Sequence, residues 1–182
     1  IIHRYIEKDI SSYLRVEHVE AYIGLMANLA TEAGNLLNNQ EMSTRLNLHK
    51  KTLAKYLDII SSTFTFSFLQ PYFTDTKKEL AKMMKVYALD AGIQRYFLHS
   101  AEPNDWVSMG PSLSEIKIFI FTELRKMGFN TDLFFYRTIA KAEIDFVICT
   151  DDEIIPIKIK LGKKNQPVPV VLKNFMNTYK KT

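Results

Sequence analysis

Four residues in the second half of the chain have types and spacing that could cleave a phosphodiester. Asp145 sits in the run Glu143-Ile144-Asp145-Phe146-Val147, and Lys158-Ile159-Lys160 follows on the next apolar segment. An acidic residue on one strand and a carboxylate-x-Lys on the next would set two carboxylates and an ammonium on one face. Such a cluster can hold Mg²⁺ through oxygens, activate a water and stabilise a leaving phosphate oxygen. Glu115, on a preceding helix, could add a third carboxylate. Asp145 and Lys160 fit the pattern, but Lys158 stands where the second carboxylate belongs. A cation there removes a ligand and places positive charge beside the metal position, so Asp145 is expected to neutralise Lys158. Glu115 also has a structural role available, because Ser112-x-x-Glu115 reads as a capping box. We therefore expect no catalytic residue, with Glu115, Asp145, Lys158 and Lys160 as vestigial nuclease-like positions, and no bound metal.

The strands that would carry these residues are 143–149 and 154–161, flanking Asp151-Asp152. If those two aspartates are the centre of the turn, Ile144 faces Ile159, Phe146 faces Ile157 and Ile148 faces Ile155. One face is then wholly apolar. On the other, Glu143 meets Lys160 and Asp145 meets Lys158, at about 0.2–1 kcal/mol per opposite-charge pair. The preceding helix opens at Ser112 and holds Ile116, Phe119, Ile120, Leu124 and Met127.

A second set of residues points to nucleic acid. Apolar spacing predicts helices over 4–14, 19–33, 40–46 and 50–61, with Gly34 placed to end the second of these in a left-handed cap. Between the last two, Asn47 tolerates positive φ and Leu48 turns inward. Residues 63–69 alternate around Phe64, Phe66 and Phe68 as a half-buried strand, with 86–89 as its partner. Short helix, tight turn, helix and hairpin is the order of a winged helix-turn-helix, whose second helix meets base edges with its N-terminal residues. Here these are His49, Lys50, Lys51 and Thr52, with Lys55 one turn on. Cations there oppose the helix macrodipole, by about 0.3–1 kcal/mol each, so folding alone would favour Asp or Ser. Lys77, Lys78 and Lys82 would lie on the wing, against phosphates.

Composition sets the frame. The 182 residues are 47% hydrophobic and 24% charged, a globular balance, and no apolar run nears the roughly 20 residues that span a bilayer. The single cysteine, Cys149, forms no intrachain disulfide and suits a reducing, cytoplasmic setting. The net charge of +4 is uneven: residues 49–85 carry seven Lys against Asp58, Asp75 and Glu79, and residues 156–182 carry seven Lys and no acid. Two basic islands on an acidic body suggest an anionic partner. His3, His18, His49 and His99 are too scattered for a metal site. A cluster of Ser100, Pro103, Asn104, Asp105 and Gly110 marks a boundary, with Trp106 in the linker. Domains are expected at 1–99 and 100–182. The chain reads as a fragment of something longer, cut short at its C-terminus.

Several short motifs then occur in one order: Tyr5-Ile6-Glu7-Lys8-Asp9-Ile10, Leu53-Ala54-Lys55-Tyr56-Leu57, Pro71-Tyr72 and Lys85-Val86-Tyr87-Ala88-Leu89-Asp90-Ala91-Gly92-Ile93. Gly110 with Glu115, Tyr136-Arg137, the Asp145 run and Ile155-Pro156-Ile157-Lys158-Ile159-Lys160 follow. Together they resemble the C-terminal region of unknown function in a large archaeal and bacterial family of predicted AAA-type ATPases. The resemblance implies an ATPase module upstream, then a winged helix, then a restriction-endonuclease-like domain of the PD-(D/E)xK type, an α+β or α/β arrangement. It maps acidic positions onto Glu115, Asp145 and 158, and the lysine onto Lys160, with Lys158 a departure. ATP and Mg²⁺ would belong to the upstream module. A phosphate-binding loop needs G-x-x-x-x-G-K-[ST], and the only Gly-Lys, Gly162-Lys163, is followed by Lys164 and has Ile157 where the first Gly belongs.

The expectation is thus a non-enzymatic, DNA-binding or regulatory C-terminal part of an AAA-type ATPase, with duplex DNA and the ATPase module as partners and no membrane. One alternative is a metal-dependent nuclease. Another is a docking or homo-oligomerisation module using aromatics around Phe64, Phe66, Phe68, Tyr72 and Phe73, most of which are expected in the core.

Overall fold

The computed structural model describes residues 16, 18–72, 83–98, 111–129, 131–162 and 167–179. The expected helix at 4–14, the wing lysines Lys77, Lys78 and Lys82, Phe73, the 99–110 boundary with Trp106, and the lysines at 163, 164, 180 and 181 lie outside these. The described elements make a mixed α+β chain with six helices and two small sheets. It divides into two compact units: Ile1–Phe68 with Val86–Met109, and Leu69–Lys85 with Gly110–Thr182. A single cut after His99 would leave the Leu69–Lys85 segment with the first unit.

In the first unit, α1 (Val19–Thr31) buries Tyr22, Leu25, Met26, Leu29 and Ala30 along one stripe. It packs against α4 (Ala91–Leu98), where buried Gln94 donates from Nε2 to the Ala30 carbonyl at 3.1 Å. Gly34 takes φ 83° as expected, and its amide reaches across to Val86 O at 2.7 Å. Next come α2 (Asn39–Arg45), with its first turn capped by the Asn38 side chain, and α3 (Lys50–Ser62). The turn joining them is closed by Asn47 at φ 50°, with Asn47 N–H to Thr44 O at 3.2 Å and Leu48 N–H to Ser43 O at 2.9 Å. The Ser43 hydroxyl donates to Leu48 O at 2.6 Å, and Leu48 is buried. Tyr22 and Tyr56 meet edge-on at 5.6 Å between α1 and α3.

Strands β1 (Phe66–Leu69) and β2 (Lys85–Ala88) form a two-stranded sheet. The expected alternation through Phe64 does not occur. Phe64 N–H bonds Ser61 O at 3.3 Å and Thr65 N–H bonds Ile60 O at 3.4 Å, which is a Schellman closure of α3. Phe64 occupies its left-handed position at φ 55° and is 74% exposed. Left-handed backbone costs a residue with a Cβ about 1–2 kcal/mol, which is why Gly is usual there. Gly128 holds the same position after α5 at φ 100°.

In the second unit, α5 (Leu113–Lys126) opens with the expected capping box. Its buried residues are Ile118, Phe121 and Leu124, while Phe119 and Met127 face solvent at 62% and 70% exposure. The expected apolar face was therefore out of phase, because Lys117 turns inward with Phe121 and Leu124. The sheet runs β3 (Leu133–Arg137), β4 (Glu143–Cys149), β5 (Ile154–Ile157), all antiparallel, and β3 had not been expected. Residues 70–72 run alongside β3 through a parallel Pro71–Phe135 bridge. The β4–β5 register is as expected for Phe146 opposite Ile157 and Ile148 opposite Ile155, closed by Thr150 N–H to Glu153 O at 3.0 Å. However, β5 ends at Ile157, short of the expected 161, and the ladder does not reach the expected Ile144–Ile159 pair.

One feature of that hairpin differs. Between β3 and β4 the pairing passes from Phe134–Val147 to Tyr136–Ile144, so β4 carries one extra residue opposite Phe135. This bulge breaks the alternation of faces. Ile144 joins Val147 and Phe175 of α6 (Val170–Thr178) in one cluster, while Phe146 stacks on Phe121 of α5 at 6.2 Å. Ile144 and Phe146 therefore do not share one apolar face. Tyr72, Tyr136, Phe175 and Tyr179 close the α6 side with edge-on contacts of 4.8–5.8 Å.

Candidate functional site

The β4 bulge sets Asp145 beside α5, where it is fully buried. Lys117 reaches it from α5, with Nζ 2.7 Å from Oδ1. Lys158, just past β5, places Nζ 3.0 Å from Oδ2, and the Ile159 amide donates to the same oxygen at 2.9 Å. Burial alone would raise the carboxyl pKa. Lys117, the Ile159 amide and Lys158 together outweigh it and hold Asp145 below its ordinary value.

Two residues earlier on β4, Glu143 gathers a second pair of cations. Lys85, buried at the start of β2, puts Nζ 2.5 Å from Oε1 and 5.2 Å from the Phe135 ring centre. Arg137 lies 3.3 Å from Oε2. Burial pulls the Lys85 ammonium below the ordinary lysine value, against the attraction of Glu143. Four cations thus surround two carboxylates on one strand.

Of the four positions singled out from sequence, the structure pairs Asp145 directly with Lys158, as expected. Glu115 accepts the Ser112 amide at 2.7 Å through Oε2 as half of the capping box. Lys160 does not meet Glu143: its ammonium points to Pro167 O at 3.4 Å, and Lys85 and Arg137 take the Glu143 carboxylate instead. Asp145 Oδ1 faces Lys117, and Oδ2 faces Lys158 and the Ile159 amide, so this carboxylate does not suit a divalent cation. Among the described residues, no three of His, Cys, Asp or Glu converge as metal ligands. Lys117, Lys85 and Arg137 were missed because an isolated lysine or arginine in a sequence reads as solvated. Only the inward phase of α5 and the strand position of Lys85 reveal them.

The other candidate lies on α3. His49, Lys50, Lys51 and Lys55 are exposed and Thr52 is half-buried. Where α2 and α5 open with side-chain caps, α3 has neither a side-chain cap nor an acid in its first turn. A groove of about 290 Å³ runs beside it, lined by Asn39, Gln40, Lys50, Leu53 and Ala54.

These features define a mixed α+β chain with six helices and two small sheets among the described residues, the second of them salt-bridged. The chain belongs to the family described as Domain of unknown function (DUF8612), which matches residues 1–104. Residues 118–182 match a second, Domain of unknown function (DUF4143). An uncharacterized protein of Haemophilus influenzae (strain ATCC 51907 / DSM 11121 / KW20 / Rd) is 24% identical over 156 residues, 83% of this chain. The chain spans 36% of the length of that relative. No solved structure matches it. Among the described residues, no helix is long and apolar enough to cross a membrane.

Proposed function

We propose that this chain is a non-catalytic, duplex-DNA-binding and regulatory C-terminal part of an AAA-type ATPase, with its first unit a winged helix-turn-helix and its second a nuclease-like domain that has lost its metal centre. The observation that carries the DNA reading is the N-terminal end of α3. His49, Lys50 and Lys51 stand exposed there, without a cap or acid to compensate them, at the position from which a recognition helix meets DNA. The non-catalytic reading rests on Asp145, whose two oxygens face Lys117, Lys158 and the Ile159 amide. The ATPase module follows from the motif order alone.

The test is fluorescence anisotropy with a labelled duplex of about 20 base pairs, titrated from low to physiological salt. Salt-steep binding that weakens in Lys50→Ala/Lys51→Ala/Lys55→Ala supports the reading. Binding no tighter than that of an unrelated basic protein of equal charge refutes it.

A further inference from the structure

We infer that Phe64 is an anchor that seats in the α2–α3 groove of a second copy of this chain. Phe64 stands out on two independent counts. It fills the left-handed position of a helix closure that elsewhere in the chain goes to Asn47 and Gly128, and its ring is left in water at 74% exposure. A left-handed backbone position that leaves an aromatic ring in water points to a contact outside the fold.

The same unit offers a receptor. The groove lined by Asn39, Gln40, Lys50, Leu53 and Ala54 has a volume of about 290 Å³, whereas an apolar cavity of about 150 Å³ already accepts benzene. Its lining combines the hydrocarbon of Leu53 and Ala54, the amides of Asn39 and Gln40, and Lys50, whose ammonium suits an aromatic face.

Charge selects a second copy over nucleic acid as the occupant. The groove end of α3 carries His49, Lys50, Lys51 and Lys55 without an acid in the first turn. The Phe64 end carries exposed Asp58 and no base in the last turn. Asp90 also belongs to this end, since its neighbour Leu89 donates to Thr65 O at 3.1 Å. A phosphate backbone would be repelled by the Phe64 end, whereas the basic end of another copy complements it. Anchor and groove are different surfaces of one molecule, so the contact either closes reciprocally between two copies or repeats as a ring or a filament. This inference uses the same end of α3 as the DNA reading, and because its test contains no DNA the two can fail separately.

The test is light scattering after size exclusion, on the whole chain, from about 5 to 500 µM. Wild type is expected to rise in mass with concentration. Phe64→Gly, which keeps the backbone turn, and Ala54→Glu, which blocks the groove, should each weaken association at least about tenfold. Mixed together, these two variants should recover a species of two chains and no larger, because only one anchor and one groove remain. A cooperative thermal melt shows that each variant is folded. A wild type that stays monomeric throughout, a Phe64→Gly variant that assembles like wild type, or a mixture that stays monomeric would overturn the inference.

Discussion

Lys158 Nζ stands 3.0 Å from Asp145 Oδ2, while Lys117 approaches Oδ1 of the same buried carboxylate at 2.7 Å. The residue that spoils the metal-binding pattern in the sequence is therefore a direct partner of the one carboxylate that remains at its centre.

This pairing makes the two partners unequal in a stability measurement. Lys158→Met leaves Asp145 with Lys117 and the Ile159 amide, and should cost about 1–2 kcal/mol. Asp145→Asn leaves two lysines without their counter-charge and should cost about 3 kcal/mol or more. Urea denaturation of both variants checks the order. A Lys158→Met variant as stable as wild type would show that Lys158 and Asp145 do not interact as drawn.

The acid limb of stability should carry the mark of Asp145. Its folded pKa lies below the ordinary value of 3.8, so its contribution is complete above that value and is lost as pH falls below it. Lys85 acts with the opposite slope. Its folded pKa lies below 10.5, so the unfolded chain binds more protons in the interval beneath 10.5, and stability rises with pH across it. Melting temperature against pH should show the acid loss diminished in Asp145→Asn and the alkaline rise flattened in Lys85→Met.

Divalent cations should have little to bind at Asp145. Millimolar Mg²⁺ or Mn²⁺ is expected to leave the melting temperature unchanged and duplex DNA uncut. Cleavage that disappears in Asp145→Ala would instead establish a metal-dependent nuclease.

Salt should report the lysines of α3 individually. Each phosphate neutralised contributes about 0.9 to the slope of log affinity against log salt. The Lys50→Ala/Lys51→Ala/Lys55→Ala variant should therefore lose about 2–3 from that slope. A slope unchanged by the triple substitution would move the DNA-binding surface off α3.

Phe64→Gly should stabilise the isolated chain at low concentration, by up to about 1 kcal/mol, by relieving a Cβ at φ 55°. A thermal melt at micromolar concentration checks this, and a clear loss of stability would mean that the ring contributes to its own fold.

Legibility in the sequence followed how local the physics was. The α2–α3 turn was readable because Asn47 and Leu48 sit where a left-handed residue and an inward apolar residue are required. The β4–β5 register was readable because a two-residue turn admits one pairing. Strand β3 was not, since Leu133-Phe134-Phe135-Tyr136 is apolar without alternation: it is packed on both sides and lacks a period. The bulge in β4 depends on β3 and was hidden with it. Lys117 and Lys85 were hidden because their partners, Asp145 and Glu143, are distant in sequence. Phe64 misled because its side chain has strand propensity while its backbone closes a helix.

The chain leaves its first unit at Leu69 and re-enters it at Val86. Pro71 pairs with Phe135, Tyr72 packs on Phe175, and Lys85 finds Glu143, so this loop-out is completed only by residues made much later. A ribosome that has reached residue 100 has synthesised nearly all of the first unit, and with it a length of chain whose partners do not yet exist. The two units are thus stitched into one heritable piece: a gene split or domain exchange near residue 100 would strand Tyr72 and Lys85 on the wrong product.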